Sequence, residues 1–201
     1  MTEETAMLEN DWKLRRDGPL LRDALCEFFE CRYGKIRFLE EKNIGKVRAD
    51  MLAVLPDSLL GIEIKSHSDS YERLKTQIRG YDAFCDLNFL CVGSIHVRAA
   101  EHVPPYWGIL AMTVRDGVRF EVLREPSENP NCKLVRQVEL LWRGELAAIL
   151  KARGLPRYEG KSKKSICAKL CEKLPPEVLR PLVCDRLFER DYTRYRDGDS
   201  I

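Results

Sequence analysis

Apolar residues first gather at helical spacing behind Pro19, at Leu20, Leu21, Ala24, Leu25 and Phe28. Asp17-Gly18-Pro19 reads as a helix start, with proline at the first helical position, and Gly34 as its stop. The pattern then shortens to that of strands: Ile36 to Ile44, Val47 to Leu55 and Leu59 to Lys65, joined by turns near Gly45 and at Pro56-Asp57-Ser58. Such short connections predict an antiparallel meander. Leu74, Ile78 and Tyr81 return to helical spacing, with Ser70 as a candidate cap and an end near Phe84. Leu87 to Val92 is a short apolar run that suits a buried strand. A brief helix, Pro104-Pro105 and a hairpin of edge strands, Trp107 to Val114 and Val118 to Leu123 around Arg115-Asp116-Gly117, complete this part. The order predicts an α/β fold, a mixed central sheet with helices flanking its faces.

The texture changes after Glu125-Pro126-Ser127-Glu128-Asn129-Pro130. From Val138 onward only helical periodicity is present, broken at Gly154-Leu155-Pro156 and Pro175-Pro176. We therefore expect a first domain over 1–130, a small helical module over 138–190 and a flexible polar tail over 191–201. At 201 residues, 44% hydrophobic and 33% charged, the chain is long enough for this division. No apolar stretch is long enough to cross a bilayer. The opening Met-Thr-Glu-Glu-Thr lacks the form of a secretory signal, which makes the cytoplasm the expected location.

Eight cysteines raise the question of a metal or disulfide framework. None forms a Cys-x-x-Cys pair, and Cys91 sits among Phe89, Leu90 and Val92. Cys167 and Cys171 are one helical turn apart without a second pair nearby. Reduced thiols, several of them in the core, are the expectation.

Three charges interrupt the apolar strands. Asp50 lies within Val47-Arg48-Ala49-Asp50-Met51-Leu52-Ala53-Val54-Leu55, and Glu63 and Lys65 alternate with Ile62 and Ile64. A buried charge is costly unless it is paired or bound to metal. Alternation puts Glu63 and Lys65 on one face of their strand, and a hairpin can bring Asp50 beside Glu63. Two adjacent carboxylates repel unless something positive lies between them, and a hard divalent cation such as Mg²⁺ or Mn²⁺ would serve. Lys65 would then position the attacking water, help deprotonate it, or stabilise the transition state. A further acidic ligand is sought among Glu27, Glu30, Glu40 and Glu41, with Glu40 or Glu41 favoured because their strand should neighbour Asp50. His67 and Asp69 lie close by in sequence but are read as loop residues.

Asp50, Glu63-Ile64-Lys65 and the later Gln77-x-x-x-Tyr81 resemble the motifs of the PD-(D/E)xK, or restriction-endonuclease-like, nuclease superfamily. The run from Gly61 to Gly93 is similar to small stand-alone bacterial and phage members, and Ala49 stands where the superfamily name has proline. The resemblance spans about Pro19 to Val114 and implies a restriction-endonuclease-like core. By it, Asp50, Glu63 and the Ile64 carbonyl would bind Mg²⁺ or Mn²⁺, and Lys65 would be catalytic. Gln77 and Tyr81, with Arg48 beside the metal ligand, would hold the substrate strand.

The net charge of +2 hides a basic segment: Lys151 to Lys173 carries eight Lys or Arg against two acids, a local charge of +6. Its helix, extended loop and second helix resemble the SAP motif, a small DNA-binding helical element with Gly-Leu-Pro and Gly-Lys at similar places. That resemblance would bring Lys161, Ser162, Lys163 and Lys164 to phosphates at the second helix's N-terminus. Gly160-Lys161-Ser162 is no nucleotide-binding loop, since Leu155 occupies the position of the required first glycine and no strand feeds it. The expected function is Mg²⁺- or Mn²⁺-dependent hydrolysis of DNA in repair or phage–host defence, and it is compatible with a homodimer. A non-catalytic DNA-binding or adaptor protein on the same fold is the alternative, and an RNA nuclease a third.

Overall fold

The computed structural model describes residues 19–65, 71–93, 97–115 and 117–191. Asp17, Gly18, His67, Asp69, Ser70, Asp116 and the tail from 192 lie outside them. The chain divides between Lys133 and Leu134 into two compact units.

The first unit runs α1 (Pro19–Tyr33), β1 (Arg37–Ile44), β2 (Val47–Val54), β3 (Leu59–Lys65), α2 (Leu74–Phe84), β4 (Leu87–Gly93), β5 (Gly108–Arg115) and β6 (Gly117–Arg124). Short 3₁₀ turns at Tyr71–Arg73 and Val97–Glu101 precede α2 and follow β4. The six strands lie side by side in chain order. β1 to β3 form the antiparallel meander, β3, β4 and β5 are parallel, and β5 and β6 close as a hairpin. The parallel step from β3 to β4 needs a crossover, and α2 supplies it. β5 was expected at an edge but is an interior strand, because Gly108 to Met112 pair with β4. Only β6 of that hairpin is an edge, and its burial alternates accordingly.

Strand parity decides what each face holds. Met51, Ala53 and Leu55 of the β2 segment and Leu60, Ile62 and Ile64 of β3 share a core with Leu21, Leu25 and Phe29 of α1. Residues of opposite parity, among them Asp50, Gly61, Glu63 and Lys65, therefore point to the other face. There α2 lies close enough to exclude side chains. A Cβ on Gly61 would stand 2.4 Å from Tyr81 Cδ1 and 2.5 Å from Asn88 Oδ1, and one on Gly80 would stand 2.7 Å from Val47 Cγ2. Gly61→Ala should consequently lower stability by about 1–3 kcal/mol through overpacking, read as a lower urea midpoint. An unchanged midpoint would show that Tyr81 can move aside freely.

Asp82, buried on α2, ties this helix to the chain before β5. It accepts hydrogen bonds from Trp107 Nε1 at 2.8 Å and from the Tyr106 hydroxyl at 2.7 Å. Asn129, also buried, donates from Nδ2 to the carbonyls of Asp82 and Cys85 at 2.9 and 2.7 Å. That anchor binds the polar stretch 125–130 to the first unit and carries the domain boundary a few residues beyond it. Burial and the bond to Asp82 push the Tyr106 phenol from 10 up to about 12. A value raised by folding means stabilisation that is complete below the unfolded pKa and lost as pH rises through the folded one. The stability gap between wild type and Tyr106→Phe should thus be full at pH 9 and shrink above pH 10, as urea titrations at each pH would show.

The second unit is helical: α3 (Leu134–Val138), α4 (Arg143–Ala152), α5 (Lys163–Lys173) and α6 (Pro176–Phe188). Val138, Leu146, Ile149, Leu170, Leu179 and Leu187 are among its buried side chains. Arg190, just past α6, is buried. Its guanidinium donates to Glu145 Oε1 at 2.7 Å and to the Leu140 carbonyl at 3.0 Å, and lies 4.1 Å from the centre of the Trp142 ring. Glu145 also accepts the Trp142 N–H at 2.6 Å, capping α4. None of the eight cysteines is in a disulfide, and Cys85, Cys91, Cys167 and Cys184 are buried. Among the described residues, no helix is long and apolar enough to cross a membrane.

Candidate active site

The β2–β3 ladder runs from Val54↔Leu59 to Met51↔Ile62. Asp50 and Glu63 come next, and there side chains take over from main-chain pairing. The Tyr81 hydroxyl accepts the Asp50 N–H at 2.9 Å and donates to the Ile62 carbonyl at 3.1 Å. The Ile64 N–H donates to Asp50 Oδ2 at 2.9 Å, which fixes the Asp50 carboxylate against β3. A tyrosine from α2 thus sits between two strands where they part, and its ring is buried beside Gly61.

Glu63 is 1% exposed and Lys65 6% exposed. Lys65 Nζ lies 3.0 Å from Glu63 Oε1 and donates to Gln77 Oε1 at 2.8 Å. Gln77 Nε2 donates to the same Glu63 Oε1. Glu63 Oε2, by contrast, is buried with no hydrogen-bond partner. Burial first, and the neighbouring Asp50 charge second, push the Glu63 carboxyl from 4.5 up to about 7, against the opposing pull of Lys65 and a smaller one from the Tyr81 hydroxyl. The carboxylate form of Glu63 is therefore under-stabilised, and a positive charge at Oε2 would relieve it.

Asp50, Glu63, Lys65, Gln77 and Tyr81 are thus brought together, at the C-terminal end of β3 and one face of α2. Gln77 and Tyr81, expected to meet a substrate strand, bond to the catalytic candidates and to the strands that carry them. Gly61, inside a strand and directly before Ile62-Glu63-Ile64-Lys65, was the available sign that another element approaches closely there. Glu41, which falls opposite Asp50 between the pairs Glu40↔Met51 and Lys42↔Ala49, has a φ of 49°. Both Glu40 and Glu41 pair with Arg22, and Arg48, which is largely exposed, lies 3.6 Å from Glu41. Among the described residues, no group of three or more His, Cys, Asp or Glu side chains is arranged to hold a metal. The two carboxylates brought together here are those of Asp50 and Glu63. An unpartnered buried carboxylate oxygen beside a second carboxylate fits Mg²⁺ or Mn²⁺, which is often held by one or two carboxylates, waters and phosphate oxygens.

In the second unit the predicted DNA contacts differ among themselves. Ser162 caps α5, accepting the Ser165 N–H at 3.2 Å, and Lys163 donates to the Glu139 carbonyl at 2.7 Å. Both are used by the fold, whereas Lys161 and Lys164 are exposed. A groove of about 540 Å³ beside α4 is lined by Arg143, Lys151, Arg157 and Tyr158, among others.

A solved structure described as the SPO1766 protein of unknown function from Silicibacter pomeroyi is similar at 25% identity. The match has a TM-score of 0.42, over 64% of this chain and 86% of the other. No match was found among curated proteins. The family profile described as Bacteriophage P4 protein cII matches residues 23–197, which cover most of both units and every candidate site residue named above. The chain belongs to the bacteriophage P4 protein cII family.

Proposed function

We propose that this protein is a metal-dependent nuclease that hydrolyses phosphodiester bonds in DNA. The observation that carries the reading is Glu63 Oε2, buried without a hydrogen bond in a carboxyl raised to about 7 and placed with Asp50 and Lys65. The resemblance of Asp50, Glu63-Ile64-Lys65 and Gln77-x-x-x-Tyr81 to the PD-(D/E)xK nucleases supports it. Asp50 and Glu63 would hold Mg²⁺ or Mn²⁺, with the Ile64 carbonyl as a further ligand. When bound, such a cation lowers the pKa of a coordinated water and offsets charge on the scissile phosphate.

The chain's own residues supply the rest. Lys65, held by Glu63 and Gln77, presents an ammonium that can orient the attacking water and stabilise negative charge as it develops on phosphate oxygens. Asp50 keeps its carboxylate at the site through the Ile64 N–H. Lys161, Lys164 and the groove with Arg143, Lys151 and Arg157 would attract the DNA backbone in a salt-dependent, largely sequence-independent way. A role in phage–host defence or DNA repair agrees with the phage family.

The test is digestion of labelled single-stranded, duplex and branched DNA, and of RNA, with Mg²⁺, Mn²⁺ or EDTA. Cleavage of DNA with either metal and none with EDTA is the expected result. A wild type inert on every substrate would sink the reading, and DNA binding without turnover would make the chain an adaptor on a nuclease-like fold. Preference for the RNA substrates would transfer the same chemistry to RNA.

A further inference from the structure

We infer that Gln77 is a positioning residue for this reaction and does not contact the substrate strand, an inference that rests on the nuclease reading above. One amide serves both members of the Glu63–Lys65 pair. Its carbonyl oxygen takes the Lys65 ammonium at 2.8 Å, and its NH₂ group donates to Glu63 Oε1. The reverse orientation would set NH₂ against ammonium and carbonyl against carboxylate, so only one rotamer satisfies both groups. Glu63 Oε1 is thereby occupied twice, by Gln77 and by Lys65 at 3.0 Å. Oε2 is left as the oxygen without a hydrogen bond, the one available to a cation. The helix behind this amide is fixed as well. Tyr81, one turn further along α2, bonds to both β2 and β3 and so sets the register of Gln77 against Glu63 and Lys65.

A positioning role and a substrate contact predict different kinetics. Gln77→Met keeps length without polarity, and Gln77→Ala removes the side chain. Mn²⁺ affinity of the DNA-free full-length protein, measured by calorimetry, should fall about 10- to 100-fold in both, as for other residues that orient metal ligands. kcat should fall by a similar factor, while KM and DNA affinity in EDTA stay within about twofold, in keeping with loss of an interaction made outside substrate binding. A raised KM or weakened DNA binding with unchanged Mn²⁺ affinity would make Gln77 a substrate contact and overturn the inference. No change in any quantity would overturn it too, as would loss of the folded state in both variants by circular dichroism. A wild type that binds Mn²⁺ and cuts DNA while its Gln77 variants match it refutes only the positioning role. A wild type that does neither refutes the nuclease reading itself.

Discussion

Lys65→Met should lower the rate of DNA cleavage by about 10²- to 10³-fold, the range for losing a positioned group that stabilises developing charge, and leave DNA affinity unchanged. Lys65 ends β3, is almost fully buried, and directs its ammonium to Glu63 and Gln77. The substitution also withdraws the attraction that opposes the upward shift of Glu63, so the carboxyl holds its proton to still higher pH. Cleavage by Lys65→Met should therefore suffer most at low pH, where that proton competes with the metal. Retention of the wild-type rate would remove Lys65 from the chemistry.

The largest structural effect is expected at the other unit. Arg190→Ala should cost roughly 3–5 kcal/mol, the range for breaking a buried ion pair by removing one partner. Arg190 holds Glu145 and the Leu140 carbonyl while covering Trp142. Without it, Glu145 loses its ion-pair partner beside the start of α4, and the Leu140 carbonyl loses a donor. Urea unfolding followed by far-ultraviolet circular dichroism would register the change, with Arg190→Lys restoring only part of it because an ammonium lacks the planar fork. A loss below about 1 kcal/mol, the level of an exposed pair, would contradict this account of Arg190.

Much of the first unit is legible in the chain because parity and turns agree. Alternating Ile62, Glu63, Ile64 and Lys65 sets β3's two faces, and short turns at Gly45 and Pro56-Asp57 make the meander. The same parity identifies Asp50, Glu63 and Lys65 as a group. β5 was less legible, since a mostly apolar run such as Gly108 to Met112 suits a hairpin edge or an interior strand equally well until its parallel partner is known. The contacts of Gln77, Tyr81, Asn129 and Arg190 could not be read at all. Each depends on long-range contacts, 14 residues from Gln77 to Glu63 and 45 from Arg190 to Glu145, that no local pattern encodes. Helical spacing put Gln77 and Tyr81 on one face. It could not say whether that face looks toward DNA or toward β2 and β3.

In the proposed reaction Asp50 and Glu63 share a divalent cation at the end of β3. Electron paramagnetic resonance titration of Mn²⁺ into the full-length protein tests it most directly, with Asp50→Asn and Glu63→Gln alongside. Saturable binding by the wild type is expected, displaced by Mg²⁺ and weakened at least tenfold by each substitution. A folded wild type that binds no Mn²⁺, or binding that survives both substitutions unchanged, would contradict it.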